Sequence, residues 1–176
     1  MKIFSKLIVS LACCSALVVA SDVYLSDNTK LPDLKMKNTG LTFEEIKGYQ
    51  NYNIVATHFR KDKNELRYIL ANPVAYNALR AGKKIMPDGS KVVKIGWNVK
   101  DMKNWTPAFE ADKIQRVEYM IKDKTKHTES DGWGYARFLK KDGEYKPWGG
   151  DPKSCVACHA VEKENDALFT RFQKMF

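Results

Sequence analysis

The sequence predicts an α+β domain in which an antiparallel β-sheet of about five strands carries flanking helices. Three observations predict this fold class. Short segments of alternating apolar and polar residues recur along the chain, hairpin-like turns separate several of them, and helix-start signals lie between others. The expected domain covers residues 42–176 and follows a loose lead-in over residues 21–41. A chain of 176 residues is long enough for one such domain with a real core.

Five segments predict the strands of this sheet. Each is short, contains β-branched or aromatic residues in alternation with polar ones, and is bounded by turn-forming residues. The segments are residues 53–59, 65–70, 91–98, 115–122 and 134–139. A polar turn joins the first two strands, and Pro87-Asp88-Gly89 forms a turn before the third.

Helices are predicted from their capping signals. Thr42-Phe43-Glu44-Glu45 has the pattern of a capping box, in which the threonine and a glutamate satisfy each other's free backbone donors, so a short helix should end near Gly48. Asn72 and Pro73 supply an N-cap and a first-turn proline for a second helix that ends at Gly82. A terminal helix is expected after residue 159.

The first twenty residues predict a secretory signal peptide. Lys2 and Lys6 form a basic start, residues 7–20 are almost entirely apolar, and small residues precede Ser21. The apolar run is shorter than the roughly 20 residues that a membrane-spanning helix needs. We therefore expect export, with cleavage near Ala20, and no membrane span.

The net charge of +9 does not predict a nucleic-acid-binding protein. Its lysines are scattered and interleaved with acids, as in Lys122-Asp123-Lys124, whereas nucleic-acid binding requires a basic cluster on one face. Export also separates the protein from such a partner. A solvated basic surface of this kind can still steer an acidic electron-transfer partner.

A C-x-x-C-H motif at residues 155–159 is the most specific chemical signal in the chain. This motif is typical of c-type haem attachment, in which two thiols bond to the vinyl groups of one porphyrin and the histidine ligates iron. The alternatives are a disulfide, a redox dithiol or half of a zinc site. Zinc needs further Cys or paired His ligands, and a redox dithiol belongs near the start of a βαβ unit. We therefore predict one covalent haem c held by Cys155, Cys158 and His159.

The position of the motif favours an iron with an open distal side. Met175 is the only methionine after His159, and nothing in the sequence singles out Met102 or Met120 as an upstream ligand. An iron without a second protein ligand binds or transforms a small molecule. A plain electron carrier would need a sixth ligand from the protein.

Several short motifs follow one another in a fixed order. They are Glu65-Leu66-Arg67, Pro87-Asp88-Gly89 with Lys94, Glu118 through Lys122-Asp123, Gly132-Trp133-Gly134, the C-x-x-C-H motif and Phe169-Thr170-Arg171-Phe172. From about Phe43 to Phe172 the chain resembles the cytochrome P460 family, which includes the beta-type cytochromes c-prime. The resemblance implies a homodimeric antiparallel β-sheet protein with a five-coordinate haem c in a bacterial periplasm. It does not extend to the four-helix cytochrome c-prime, whose helices the alternating segments do not fit.

Lys94, Arg67 and Glu118 are the candidate site residues outside the motif. Taken alone, Lys94 predicts a stem lying along the sheet with its amine in water, while Arg67 and Glu118 predict an exposed face or a structural ion pair. The resemblance implies that Lys94 Nζ bonds covalently to the porphyrin rim and that Gly96 leaves room for the ring. It also implies that Arg67 binds a distal ligand or a propionate. Glu118 would accept protons if its surroundings raise its pKa toward the working pH.

The function implied by the resemblance is oxidation of hydroxylamine to nitrous oxide or nitric oxide. The electrons would pass to a periplasmic acceptor such as a small cytochrome. Two alternatives remain open from the sequence. One is a nitric-oxide-binding protein without turnover, like the beta-type cytochromes c-prime, and the other is an electron-transfer cytochrome c.

Overall fold

An antiparallel sheet of six strands, each hydrogen-bonded to the next strand in sequence, dominates the computed structural model. The structure describes residues 32–174. The strands are β1 (Asn53–Arg60), β2 (Glu65–Ala71), β3 (Lys91–Met102), β4 (Trp105–Lys122), β5 (Trp133–Lys141) and β6 (Glu144–Pro147). Helix α1 spans Pro73–Arg80 and α2 spans Lys153–His159, and short 3-10 segments lie at Phe43–Ile46, Tyr49–Asn51, Lys61–Lys63, Thr128–Ser130 and Ala160–Asn165.

The predicted α+β class with an antiparallel sheet is confirmed. The predicted signal peptide lies outside the described residues. Within residues 32–174, no helix has the length and apolar character needed to cross a membrane.

The sheet is larger than the five predicted strands. A sixth strand, β6, pairs with β5 after a turn in which Asp142 and Gly143 both have positive φ. Strands β3 and β4 also extend as a hairpin beyond Asn98, where their pairing is interrupted by register shifts. Residues 99–114 contain many charged residues and no clean alternation, so they carry no strand signal of their own.

The predicted capping box before the first helix is wrong. Thr42 makes no side-chain capping bond, and Phe43–Ile46 is a single 3-10 turn. Its two apolar residues, Phe43 and Ile46, are both buried, so packing against the sheet determines this segment. Glu44, which is not the capping position of that pattern, forms an exposed ion pair with Lys47 at 3.0 Å.

Asn72 caps α1 as predicted and also fastens the helix to the sheet. Its side-chain oxygen accepts hydrogen bonds from the backbone N–H groups of Ala75 and Lys91, both at 3.0 Å, and its amide donates to the Gly89 carbonyl at 2.9 Å. One buried side chain therefore joins the start of α1 to the start of β3.

The two faces of the sheet are covered differently. The N-terminal segment covers one face, where Met36, Phe43 and Ile46 join Val93, Val117 and Phe138 in a buried cluster. Helix α1 and the C-terminal segment cover part of the other face. That second apolar cluster includes Ala75, Leu79, Val92, Met120, Tyr135 and Leu168.

The predicted terminal helix after the motif is wrong, because α2 contains the motif and ends at His159. A kinked 3-10 segment follows, and Asp166 and Ala167 then adopt positive φ angles of 50° and 61°. This turn sends the chain back toward the sheet, where the Gln173 N–H donates to the Val55 carbonyl at 3.1 Å.

Replacing Asn72 by Ala should lower the free energy of unfolding by about 2 kcal/mol, because it removes the helix cap and leaves further backbone groups unpaired. Urea unfolding of the two proteins measures the difference. Asn77→Ala, an exposed position on the same helix, is the control and should cost nothing or stabilise slightly. Equal unfolding free energies for Asn72→Ala and the unmodified protein would contradict this role.

Candidate functional site

A cavity of about 350 Å³ lies between the second face of the sheet and the C-terminal segment. This volume falls in the range of pockets that hold small molecules and cofactors. The cavity brings together all six site residues predicted from the sequence. Arg67, Lys94 and Glu118 line it from the strands, and Cys155, Cys158 and His159 line it from α2.

Strand register accounts for the polar wall of this cavity. Lys94 on β3 lies opposite Glu118 on β4, and Glu118 lies opposite Arg137 on β5. The Glu118 carboxylate forms ion pairs with both neighbours, and Arg116 Nε lies 3.6 Å from Glu118 Oε2. The Lys94 amine thus forms an ion pair with a buried carboxylate. The prediction from Lys94 alone, in which the amine reaches bulk water, is wrong.

A second buried carboxylate extends this network. Glu65 on β2 is fully buried and pairs with Arg67 at 2.5 Å and with Arg116. Gly96 provides the room for Glu65, because a Cβ at residue 96 would lie only 3.0 Å from Glu65 Oε2. Gly96 therefore accommodates the Glu65 carboxylate, and the approach of the porphyrin ring to Gly96 stays a prediction.

Three members of this network were not predicted from the sequence. They are Glu65, Arg116 and Arg137. Strand alternation places Glu65 on the same face as Arg67, and Arg116 on the same face as Glu118. Their meeting depends on the register between strands that are far apart in sequence. With Lys94, the network comprises four cations and two carboxylates, so this wall carries an excess of positive charge.

The charges around Glu118 determine its protonation. Burial raises the pKa of Glu118, but the charges of Lys94 and Arg137, a hydrogen bond from Lys94 and the charge of Arg116 outweigh burial and lower it to about 2. The condition for Glu118 to act as proton acceptor, a pKa raised toward the working pH, is therefore not met while the Lys94 side chain is free and charged. Glu118 is ionised at neutral pH.

His159 is held so that one ring nitrogen remains free. Its Nδ1 lies 2.6 Å from the Ala167 carbonyl oxygen, and because a carbonyl only accepts, Nδ1 must carry the proton. The lone pair is then on Nε2. Burial lowers the pKa of His159, which favours the neutral ring that binds metals. The rings of Tyr135 and Phe169 pack against it at centroid distances of 5.2 and 5.1 Å.

The two cysteines next to this histidine are free thiols. Burial raises the pKa of Cys155, so its sulfur is a protonated thiol at neutral pH. Among residues 32–174, no three His, Cys, Asp or Glu side chains assemble into a metal site. The donor set consists of two thiols and one neutral imidazole beside a partly apolar cavity, and it fits a porphyrin with iron bound at His159.

The remaining histidines and methionines differ in their relation to the cavity. His58 lines it although the sequence predicts no role for this residue, whereas His127 packs against Gly134 outside it. Met120 also lines the cavity and lies opposite Tyr135 in the sheet. Met102 pairs with Trp105 at the tip of the β3–β4 hairpin.

An antiparallel sheet with a C-x-x-C-H helix closing a partly apolar cavity that has one charged wall defines a haem-binding cytochrome of the β-sheet class. The cytochrome P460 family model matches residues 46–170, and the chain belongs to this family. The resemblance predicted from the sequence is thereby confirmed. Haem is the cofactor that membership of this family implies. A search of curated proteins found no match to the chain.

Because Glu65 is buried between two arginines, its replacement should affect the stability of the protein. Glu65→Gln should lower the free energy of unfolding by about 3 kcal/mol or more, because a neutral amide leaves Arg67 and Arg116 without their shared counter-charge. Guanidinium unfolding of the haem-loaded proteins measures this loss. Glu44→Gln, which breaks an exposed ion pair, should change stability by less than about 1 kcal/mol. A loss for Glu65→Gln no larger than that of this control would contradict a structural role for the pair.

Proposed function

We propose that this protein is an exported mono-haem c enzyme that oxidises hydroxylamine at an open iron site. One observation carries the proposal: Arg67, Lys94 and Glu118 line the same cavity as the C-x-x-C-H motif. A protein that only transfers electrons has no need of buried, paired charges in its haem cavity. Polar groups beside a ligand site are what proton-coupled chemistry requires.

Cys155, Cys158 and His159 would hold the haem. The two thiols would form thioethers with the porphyrin vinyl groups, and His159 Nε2 would ligate the iron, since Nδ1 donates to the Ala167 carbonyl. When bound, the haem supplies the position at which hydroxylamine is oxidised and accepts its electrons. The remaining chemistry belongs to the side chains of the cavity.

Glu118 would be the proton acceptor. Oxidation of hydroxylamine to nitric oxide releases three protons with three electrons, so a base in the cavity accelerates the reaction. With Lys94 charged, the pKa of Glu118 is about 2, and such a carboxylate is a weak base at neutral pH. A covalent bond from Lys94 Nζ to a porphyrin carbon would replace one N–H and one C–H bond, with two protons and two electrons passing to an external oxidant such as a peroxide. With loss of a further proton, the positively charged ammonium beside Glu118 would become an uncharged secondary amine. The pKa of Glu118 would then rise toward the working pH.

Arg67 would orient the substrate. Its Nε donates to the buried Glu65 carboxylate at 2.5 Å, which fixes the plane of the guanidinium group. The terminal nitrogens of Arg67 remain as donors at the wall of the cavity. A guanidinium fixed in this way can hydrogen-bond the oxygen of hydroxylamine or of a nitrogen-oxide product.

Location and partners complete the proposal. The sequence of residues 1–20 supports export to the periplasm, where a small cytochrome would accept the electrons. The excess of lysines would steer an acidic acceptor. The family resemblance further supports a homodimer.

An electron-transfer cytochrome is the second candidate, and the position of Met120 favours it. Met120 lines the cavity and is a possible sixth ligand for the iron. This function predicts low-spin spectra in both oxidation states and a change of spin state in Met120→Leu. High-spin spectra that Met120→Leu leaves unchanged would support the open site.

Covalent haem attachment is tested first. Replacing Cys155 and Cys158 by Ala should abolish haem retention on a denaturing gel, because no other thiol is present among residues 32–174. His159→Ala should retain covalent haem but change the iron's spin state. Ser154→Ala, beside the motif, is the control, and it should retain covalent haem and leave the spin state of the iron unchanged. Native protein without covalently bound haem would contradict the proposal.

Lys94 is tested by its covalent link. In protein matured in its own host, a proteolytic digest should show the Lys94 peptide joined through haem to the peptide with Cys155 and Cys158. Lys94→Arg keeps the charge beside Glu118 and removes the link, so the absorption spectrum should become that of ordinary haem c and hydroxylamine oxidation should fall at least tenfold. Lys91→Arg, on the same strand, should change neither. An unlinked Lys94 in the unmodified protein would favour the nitric-oxide-binding function without turnover.

A further inference from the structure

A buried ion pair outside the cavity wall joins Lys122 to Asp166. Lys122 is 1% exposed and Asp166 is 6% exposed. Lys122 Nζ donates to Asp166 Oδ1 at 2.6 Å and to the Asp131 carbonyl at 2.7 Å. The other carboxylate oxygen of Asp166 accepts from the Met86 N–H at 2.8 Å. Both carboxylate oxygens of Asp166 and two of the three N–H donors of Lys122 therefore have a specific partner, which restricts the side chain of Asp166.

The pair fastens a strained turn to the sheet. Asp166 and Ala167 follow one another in the left-handed region, with φ angles of 50° and 61°. Residues other than glycine adopt this conformation infrequently and at an energetic cost, and here two such residues do so in succession. Lys122 ends β4 and thus belongs to the rigid sheet, so its bond to Asp166 places the turn relative to the strands.

The Asp166–Ala167 turn carries the hydrogen-bond acceptor of His159. The Ala167 carbonyl lies 2.6 Å from His159 Nδ1, and the Ala167 N–H donates to the Glu162 carbonyl at 2.9 Å. A fixed acceptor on Nδ1–H increases the electron donation of Nε2 to a bound metal. Greater donation stabilises ferric over ferrous iron and lowers the reduction potential.

We infer that the Lys122–Asp166 ion pair is a positioning element for the iron ligand, which holds the Ala167 carbonyl on His159 and so sets the reduction potential of the haem. The inference rests on the proposed function, in that His159 ligates the iron. Neither Lys122 nor Asp166 lines the cavity that holds the reacting groups. Their effect on the iron is transmitted by one backbone turn.

Two single variants and their combination test the inference. Asp166→Asn keeps the shape but has one acceptor oxygen for two donors, Lys122 Nζ and the Met86 N–H, so one bond must be lost. Lys122→Met removes the positive charge of the ion pair and leaves the Asp166 carboxylate without its counter-charge. The double variant Lys122→Met/Asp166→Asn leaves no uncompensated buried charge and serves as the test where a single variant does not fold. Lys47→Met, which breaks an exposed ion pair, is the matched control.

The readouts are the midpoint potential of the haem-loaded protein and the iron–histidine stretching frequency from resonance Raman spectra of the ferrous form. At a fixed electrode potential, the variants should show at least a tenfold higher ferrous-to-ferric ratio, a shift of about 59 mV to higher potential. Their stretching frequency should fall, because the hydrogen bond to His159 weakens. The control should show neither change.

The outcomes separate this inference from the proposed function. A double variant that binds covalent haem but keeps the original potential and stretching frequency overturns the inference and leaves haem attachment intact. An unmodified protein without covalent haem overturns the proposed function, and the inference with it. A loss of stability with unchanged potential shows that the ion pair is structural only.

Discussion

Pairing of two buried carboxylates with basic side chains is the interaction on which this site depends. Glu65 and Glu118 would be costly to bury alone, and each is surrounded by cations from neighbouring strands. Their ion pairs couple β2, β3, β4 and β5 in one register. A slip of one residue in any of these strands would transfer charges to the apolar face against the N-terminal segment.

The same constraint determines the chemistry of the cavity. A carboxylate held among cations remains ionised at neutral pH, and its basicity is set by the number of cations around it. Lys94 is the neighbour whose charge a covalent bond can remove. Lys94 and Glu118 contact each other directly across two strands, so the proposed cross-link and the proposed proton acceptor would form one electrostatic unit.

Local signals in the sequence predicted much of this structure. Alternation located the first five strands, and Asn72 and Pro73 located α1. The C-x-x-C-H motif pointed to the two thiols and the imidazole that line the cavity. What the sequence could not supply was register. Glu65 and Arg116 are 51 positions apart in the chain, and their contact follows from the pairing of both strands with β3. At Thr42 the sequence carries a clear local capping signal that the structure does not follow. Burial of Phe43 and Ile46 determines the conformation there instead.

The order of the strands also affects how this molecule associates with others. The outer edge of the sheet at β6 is only four residues long and ends in Pro147, which has no N–H to donate. At the opposite edge, Val55 and Thr57 of β1 already hydrogen-bond to Gln173. Among residues 32–174, both outer edges of the sheet are therefore partly blocked against the addition of another strand. Addition of a further strand at β1 or β6 is therefore disfavoured, and an encounter between two copies of the chain is directed toward a face of the sheet or the projecting β3–β4 hairpin.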